Sequence, residues 1–136
     1  MIYRILIIED DLAYKPLWAD ILRRYLGGHV AEICWAVSAE EARIEYEKSV
    51  ATQKYFDFII TDVFLAGSDT GLDFVENIFA DDQEAPPVIL ISSVDKEEVE
   101  GIVDTVSRRI EILTKPINAL QFKEVMNRIT ENRRAI

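Results

Sequence analysis

Three short runs of the chain are apolar at every position: Ile5-Leu6-Ile7-Ile8, Phe58-Ile59-Ile60 and Val88-Ile89-Leu90-Ile91. A run with no polar residue suits a strand covered by helices on both faces, as in the centre of a parallel sheet. Two weaker runs, Val30 to Val37 with Glu32 inside it and Ile110-Glu111-Ile112-Leu113, admit a charge and suit strands nearer the sheet edges. About five strands result.

Between the strands the apolar residues recur at helical spacing. The stripes are Leu17, Ile21 and Tyr25 with Trp18 and Leu22; Ala42, Tyr46 and Val50; Val75, Ile78 and Phe79; Val99, Ile102, Val103 and Val106; and Phe122, Val125, Met126 and Ile129. Ser38 with Glu41, Asp95 with Glu98, and Asn118 with Gln121 each put a capping residue three positions before an acid or amide. Strict alternation of strand and helix forces right-handed crossovers and a doubly wound α/β fold. The expected strand order is 2-1-3-4-5, with the functional groups at the carboxyl ends of the strands.

Composition narrows the function classes. The 136 residues, 49% of them hydrophobic, suit a single domain over residues 1–136 with a sizeable core. A formal net charge of −10 repels phosphate backbones and anionic membrane surfaces, which argues against direct nucleic-acid binding. Cys34 is the single cysteine, so no internal disulfide can form and the cytoplasm is the expected setting. The run Ile5 to Ile8 is too short for a membrane span or a signal-peptide core, and acids follow it directly.

The strand ends are polar. Glu9-Asp10-Asp11 follows the first strand, Thr61-Asp62 the third, Ser92-Ser93 the fourth and Thr114-Lys115-Pro116 the fifth. Strands one, three and four are expected to be adjacent, so Asp10 and Asp62 should converge with Glu9 beside them. Two carboxylates about 4 Å apart repel by roughly 4 kcal/mol at an effective dielectric near 20. A positive group must join them, either a divalent cation or the Lys115 ammonium. All-oxygen ligation favours magnesium, which commonly bridges protein to phosphate oxygens. A carboxylate can attack phosphorus to give an acyl phosphate when the charge on the phosphoryl oxygens is neutralised.

The motifs Ile-Leu-Ile-Ile-Glu9-Asp10-Asp11, Ile-Ile-Thr-Asp62-Val-Phe-Leu, Val-Ile-Leu-Ile-Ser92-Ser93 and Leu-Thr-Lys115-Pro116 together resemble the response-regulator receiver domain of two-component signalling. They run in order, with 30 residues from Asp62 to Ser92 and 23 from Ser92 to Lys115, and the likeness spans essentially the whole chain. The resemblance implies the flavodoxin-like receiver fold. It implies that Asp62 is the phosphoacceptor, and that Glu9, Asp10, Asp62 and the backbone carbonyl of Phe64 hold Mg2+. It implies that Ser92 and Lys115 bind the phosphoryl group, with a peptide bond before Pro116 that is often cis in the family. Asp11 falls outside the metal site in that register.

The chain departs from the family pattern at several points. Ile112 stands where the family often has tyrosine or phenylalanine, so the usual aromatic rotamer switch is absent. Ala66 replaces a frequent proline in a loop with one extra residue before Gly71, Ser93 takes a place usually given to alanine, and Arg108-Arg109 replaces a glycine-alanine pair. His29 has no cysteine or histidine partner at ligand spacing, Cys34 reads as small core filling, and Trp18 and Trp35 as packing residues. The basic residues Arg108, Arg109, Lys123, Arg128, Arg133 and Arg134 form either a docking face or a solvated one.

The expected function is a phosphorylation-dependent switch that is not an enzyme beyond its own phosphorylation and dephosphorylation. Its expected partners are a sensor histidine kinase or phosphotransfer protein and a downstream protein. The latter would contact the face of the fourth predicted helix, fifth strand and fifth predicted helix, since no output domain is expected in this chain. One rival is a phospho-independent interaction module, against which the full set Glu9, Asp10, Asp62, Ser92 and Lys115 argues. Another is an aspartate-nucleophile phosphohydrolase of the haloacid-dehalogenase kind, which needs a second acid where this chain has Phe64. Neither G-x-G-x-x-G nor a Walker-type lysine loop is present to bind a nucleotide.

Overall fold

A computed structural model describes residues 3–63, 70–81, 85–93 and 110–134. Its elements are β1 (Tyr3–Ile8), α1 (Tyr14–Leu26), β2 (Val30–Ala36), α2 (Ala39–Ala51), β3 (Phe58–Asp62), α3 (Gly71–Asp81), β4 (Val88–Ser92), β5 (Ile110–Thr114) and α4 (Ala119–Arg134). The predicted stripe from Val99 to Val106 and its Asp95 cap lie outside the described residues, so α4 is the fifth predicted helix. No described helix is long and apolar enough to cross a membrane.

The five strands form one parallel sheet in the order β2-β1-β3-β4-β5. The three wholly apolar runs occupy its centre and the two charge-bearing runs its edges. Each edge charge is answered. Glu32 on β2 pairs with Arg4 at 3.0 Å, and Glu111 on β5 takes two 3.0 Å hydrogen bonds from the Arg128 guanidinium of α4.

Side chains alternate across the sheet, which splits each central strand between two cores. Ile5, Ile7, Phe58, Ile60, Ile89 and Ile91 face α1 and α4, where Trp18, Leu22, Phe122 and Val125 cover them. Leu6, Ile8, Ile59, Val88 and Leu90 face α2 and α3, under Ala42, Tyr46, Phe74 and Ile78. Each fully buried Val, Leu, Ile or Phe side chain among them contributes about 1.5–3 kcal/mol.

Two predicted stripes differ in detail. Leu17 is exposed, because it sits one residue, about 100° of helix, away from the Trp18 face. Val50 is exposed and Ser49 is buried in its place, three residues after Tyr46. The Ser49 hydroxyl donates to the Tyr46 carbonyl at 2.7 Å, which lets a polar residue enter the apolar stripe. The second strand ends at Ala36 and leaves Val37 exposed. The side chain of Phe79 is outside the described residues.

Two predicted caps are present. Ser38 Oγ accepts the Glu41 N–H at 3.1 Å, and Asn118 Oδ1 accepts the Leu120 N–H at 2.8 Å. A further cap opens α3, where the Thr70 N–H donates to Asp73 and the Asp73 N–H donates to Thr70 Oγ1. The spacing of Thr70 and Asp73 in the sequence carries that signal.

Candidate functional site at the carboxyl edge of the sheet

Pleat parity decides which side chains meet at the strand ends. Glu9 continues the series Ile5, Ile7; Asp62 continues Phe58, Ile60; Lys115 continues Leu113. All three therefore emerge on the α1 and α4 side of the sheet. Backbone bonds fix the strand ends: the Glu9 N–H donates to the Ala36 carbonyl at 2.9 Å, Val63 N–H to Ile91 at 2.9 Å and Lys115 N–H to Ser92 at 2.7 Å.

The result is a compact acidic cluster with a cation inside it. Carboxylate oxygens of Glu9, Asp10 and Asp62 all lie within 4.8 Å of one another. Glu9 and Asp62 are buried and Asp10 is exposed. The Lys115 ammonium stands 2.6 Å from Asp62 Oδ2 and 3.6 Å from Glu9 Oε2. The sequence expectation that these four groups converge matches the geometry. The Lys115–Pro116 peptide bond is cis.

The electrostatics follow from this packing. Burial pushes the Glu9 carboxyl up, and the nearby Asp62 and Asp10 charges add to that. The Asp11 N–H, which donates to Glu9 Oε1 at 3.1 Å, and the Lys115 charge offset it only in part. Burial disfavours the Lys115 ammonium, but the Asp62 hydrogen bond and the Asp62 and Glu9 charges outweigh it and hold its pKa above the usual lysine range. The donor set is three carboxylates with one face open at exposed Asp10. That all-oxygen, doubly buried arrangement fits a hard divalent cation such as Mg2+.

The other predicted residues divide. Ser92 is buried at the end of β4, and its parity is that of Val88 and Leu90, on the α2 and α3 side. Ile112 shares that side: it opposes Leu90, is half-buried and packs against the same core. Ser92 and Ile112 thus lie on the sheet face opposite Glu9 and Asp62. Phe64 lies outside the described residues, as do Ala66, Arg108 and Arg109. Asp11 Oδ1 accepts the Ala13 N–H at 3.0 Å and shapes the turn into α1.

Three contributors carry no clear sequence signal of their role. The Tyr14 ring, at the start of α1, lies beneath the Lys115 ammonium with Nζ 4.2 Å from the ring centroid. The Thr61 hydroxyl donates to the Asp62 carbonyl at 3.0 Å. Gly71 is forced by close approach: a Cβ there would stand 1.9 Å from the Asp62 carbonyl oxygen. Its own N–H donates to the Val63 carbonyl at 2.9 Å, which ties the start of α3 to the end of β3.

Among known proteins, the family model described as the response regulator receiver domain matches residues 5–127. No curated protein matches. The solved structures it resembles include chemotaxis response regulator CheY4 of Vibrio cholerae, at TM-score 0.74 and 21% identity over 95% of this chain and 99% of that one. A response regulator receiver domain protein from Clostridium thermocellum aligns at TM-score 0.78 and 18% identity over 98% of each chain. A two-component response regulator from Cytophaga hutchinsonii aligns at TM-score 0.79 and 20% identity over 96% and 99%. At these identities the structural likeness is one of fold. The family match, running from β1 well into α4 and enclosing Glu9, Asp10, Asp62, Ser92 and Lys115, shows that the chain belongs to the response regulator receiver domain family.

Proposed function

We propose that the chain is a phosphorylation-dependent signalling switch in which Asp62 accepts a phosphoryl group from a sensor histidine kinase or phosphotransfer protein. The observation that carries this reading is the Lys115 ammonium held 2.6 Å from Asp62 inside a cluster of three carboxylates. A structural ion pair needs only one acid. Three acids gathered at the ends of β1 and β3 carry a standing repulsion that a bound divalent cation would relieve, leaving the site ready to receive an anionic phosphoryl group.

Glu9, Asp10 and Asp62 are the residues that would hold Mg2+, together with the Phe64 carbonyl. When bound, the ion would neutralise charge on the phosphoryl oxygens. In the transfer itself, an Asp62 carboxylate oxygen attacks the phosphorus of a phosphohistidine. The P–N bond breaks, its electron pair leaves on the imidazole, and that nitrogen takes a proton from solvent. Lys115 supports the charge gathering on the phosphoryl oxygens, and Ser92, one residue past Asp62's partner Ile91 at the same edge of the sheet, would turn its hydroxyl over the strand end toward them. Water later attacks the acyl phosphate and releases inorganic phosphate, returning Asp62.

Phosphorylation adds roughly −1.5 to −2 charge and three acceptor oxygens at Asp62. Drawing in Ser92 shifts the end of β4, and the common face of Ser92 and Ile112 carries that shift toward β5. Output is by protein contact at the face including β5 and α4, in the cytoplasm. The experiment is intact-mass measurement after incubation with acetyl phosphate or phosphoramidate and Mg2+. A gain of one phosphoryl group in the native chain and none in Asp62→Asn supports the switch. Turnover of many phosphoesters in place of stable uptake would favour a hydrolase.

A further inference from the structure

The Lys115 side chain reaches the acidic cluster from a strand end and is followed at once by a turn, so its four-carbon stem has considerable rotamer freedom to lose. Asp62 and Glu9 attract the ammonium, from 2.6 Å and 3.6 Å. A further contact of the ammonium is the Tyr14 ring, whose centroid lies 4.2 Å from Nζ, inside the range in which an ammonium is drawn to an aromatic face. Tyr14 is the first residue of α1, half-buried against the core that contains Trp18 and Phe122, so the ring is itself held by packing. Ring and carboxylates thus hold the same ammonium.

Resting on the reading of Asp62 as phosphoacceptor, we propose that Tyr14 is a positioning residue for phosphoryl transfer, its ring face holding the Lys115 ammonium where the phosphoryl oxygens arrive. The ring suits this role better than another acid. A carboxylate there would add a fourth negative charge to the cluster and would compete for the ammonium as the phosphoryl group enters. An aromatic face attracts the cation weakly and carries no net charge. Lys115 can then shift its hydrogen bond from Asp62 to a phosphoryl oxygen without leaving the ring. The chemistry that matters is the ring face and not the phenol hydroxyl, so phenylalanine serves in its place and leucine does not.

The test compares native chain, Tyr14→Phe, Tyr14→Leu and Asp62→Asn for the initial rate of phosphoryl uptake from phosphoramidate with Mg2+, read by intact mass. Alongside, the 15N-labelled lysine ammonium resonance of Lys115, assigned by its loss in Lys115→Arg, is recorded without phosphodonor. Tyr14→Leu is expected to slow uptake about three- to tenfold and to broaden or remove the Lys115 resonance. Tyr14→Phe is expected to keep both within about twofold of native. Native uptake with an unchanged rate in Tyr14→Leu would overturn the inference alone. An equal loss in Tyr14→Phe would overturn it too, by moving the role to the hydroxyl. If the native chain takes up no phosphoryl group, the acceptor reading has failed and the inference falls with it.

Discussion

Lys115 Nζ lies 2.6 Å from Asp62 Oδ2, an ion pair that joins positions 53 apart in sequence and links the ends of β5 and β3. Between those strands runs β4, whose last carbonyl, on Ser92, accepts the Lys115 N–H at 2.7 Å. Backbone and side chain of one residue thus bind the ends of β4 and of β3, the next strand beyond it, which makes Lys115 a structural as well as a chemical centre of the site.

Removing that cation should cost stability. Lys115→Met takes the ammonium away from two buried acids, Glu9 and Asp62, and the partial exposure of Lys115 itself tempers the penalty. Urea unfolding in chelator-containing buffer should show a loss of about 2–3 kcal/mol. A change below about 0.5 kcal/mol would mean that the acids find other relief.

The Glu9 pKa is raised from 4.5, chiefly by burial. The folded state then holds the Glu9 proton more tightly than the unfolded chain does. Stability therefore falls as the pH climbs from 4.5 through the raised value, and stays lower above it. Glu9→Gln keeps an acceptor for the Asp11 N–H and removes the titration. In metal-free buffer its melting temperature at pH 7 should be at or above native, with a flatter acid limb. Lys115 acts at the other extreme: its contribution is complete below 10.5 and is lost as the pH rises through its raised folded value.

Asp10 is the exposed member of the acidic trio, so its loss tests cation binding with little disturbance to packing. Millimolar MgCl2 should raise the melting temperature of the native chain more than NaCl of equal ionic strength, through preferential binding to the folded state. In Asp10→Asn that difference should shrink severalfold, while the metal-free protein, relieved of one like charge, melts no lower than native. Equal Mg2+ effects in both proteins would remove Asp10 from the cation site.

Gly71→Ala tests the close approach of α3 to β3. The new methyl group would meet the Asp62 carbonyl oxygen at 1.9 Å and Thr61 Oγ1 at 2.6 Å, and the first of these is backbone at the end of the central strand. A loss of about 3 kcal/mol or more in urea unfolding is expected. A neutral result would show that α3 can retreat from β3.

Much of this was legible in the sequence because central parallel strands leave no ambiguity. Ile5 to Ile8 and Val88 to Ile91 are buried on both faces, so no polar residue interrupts them, and the residues just beyond them stand at the sheet's carboxyl edge. Glu9, Asp10, Asp62 and Lys115 were found from that placement and from their agreement with family motifs. Helix faces were read less well, since Leu17 and Trp18 differ by one position and Ser49 hides its hydroxyl in a local bond. The contact of Tyr14 with Lys115 is a distance between the start of α1 and the end of β5 that no sequence spacing encodes. The opposite pleat parities of Asp62 and Ser92 require the register of two strands and not their composition.

The most direct test of the central claim is to trap the acyl phosphate. After incubation with phosphoramidate and Mg2+, borohydride reduces an aspartyl phosphate to homoserine, and peptide mass spectrometry locates the altered residue. The account predicts homoserine at position 62 alone, with Glu9 and Asp10 unchanged. Reduction at another carboxylate, or a phosphoryl group that survives borohydride on a different side chain, would contradict it.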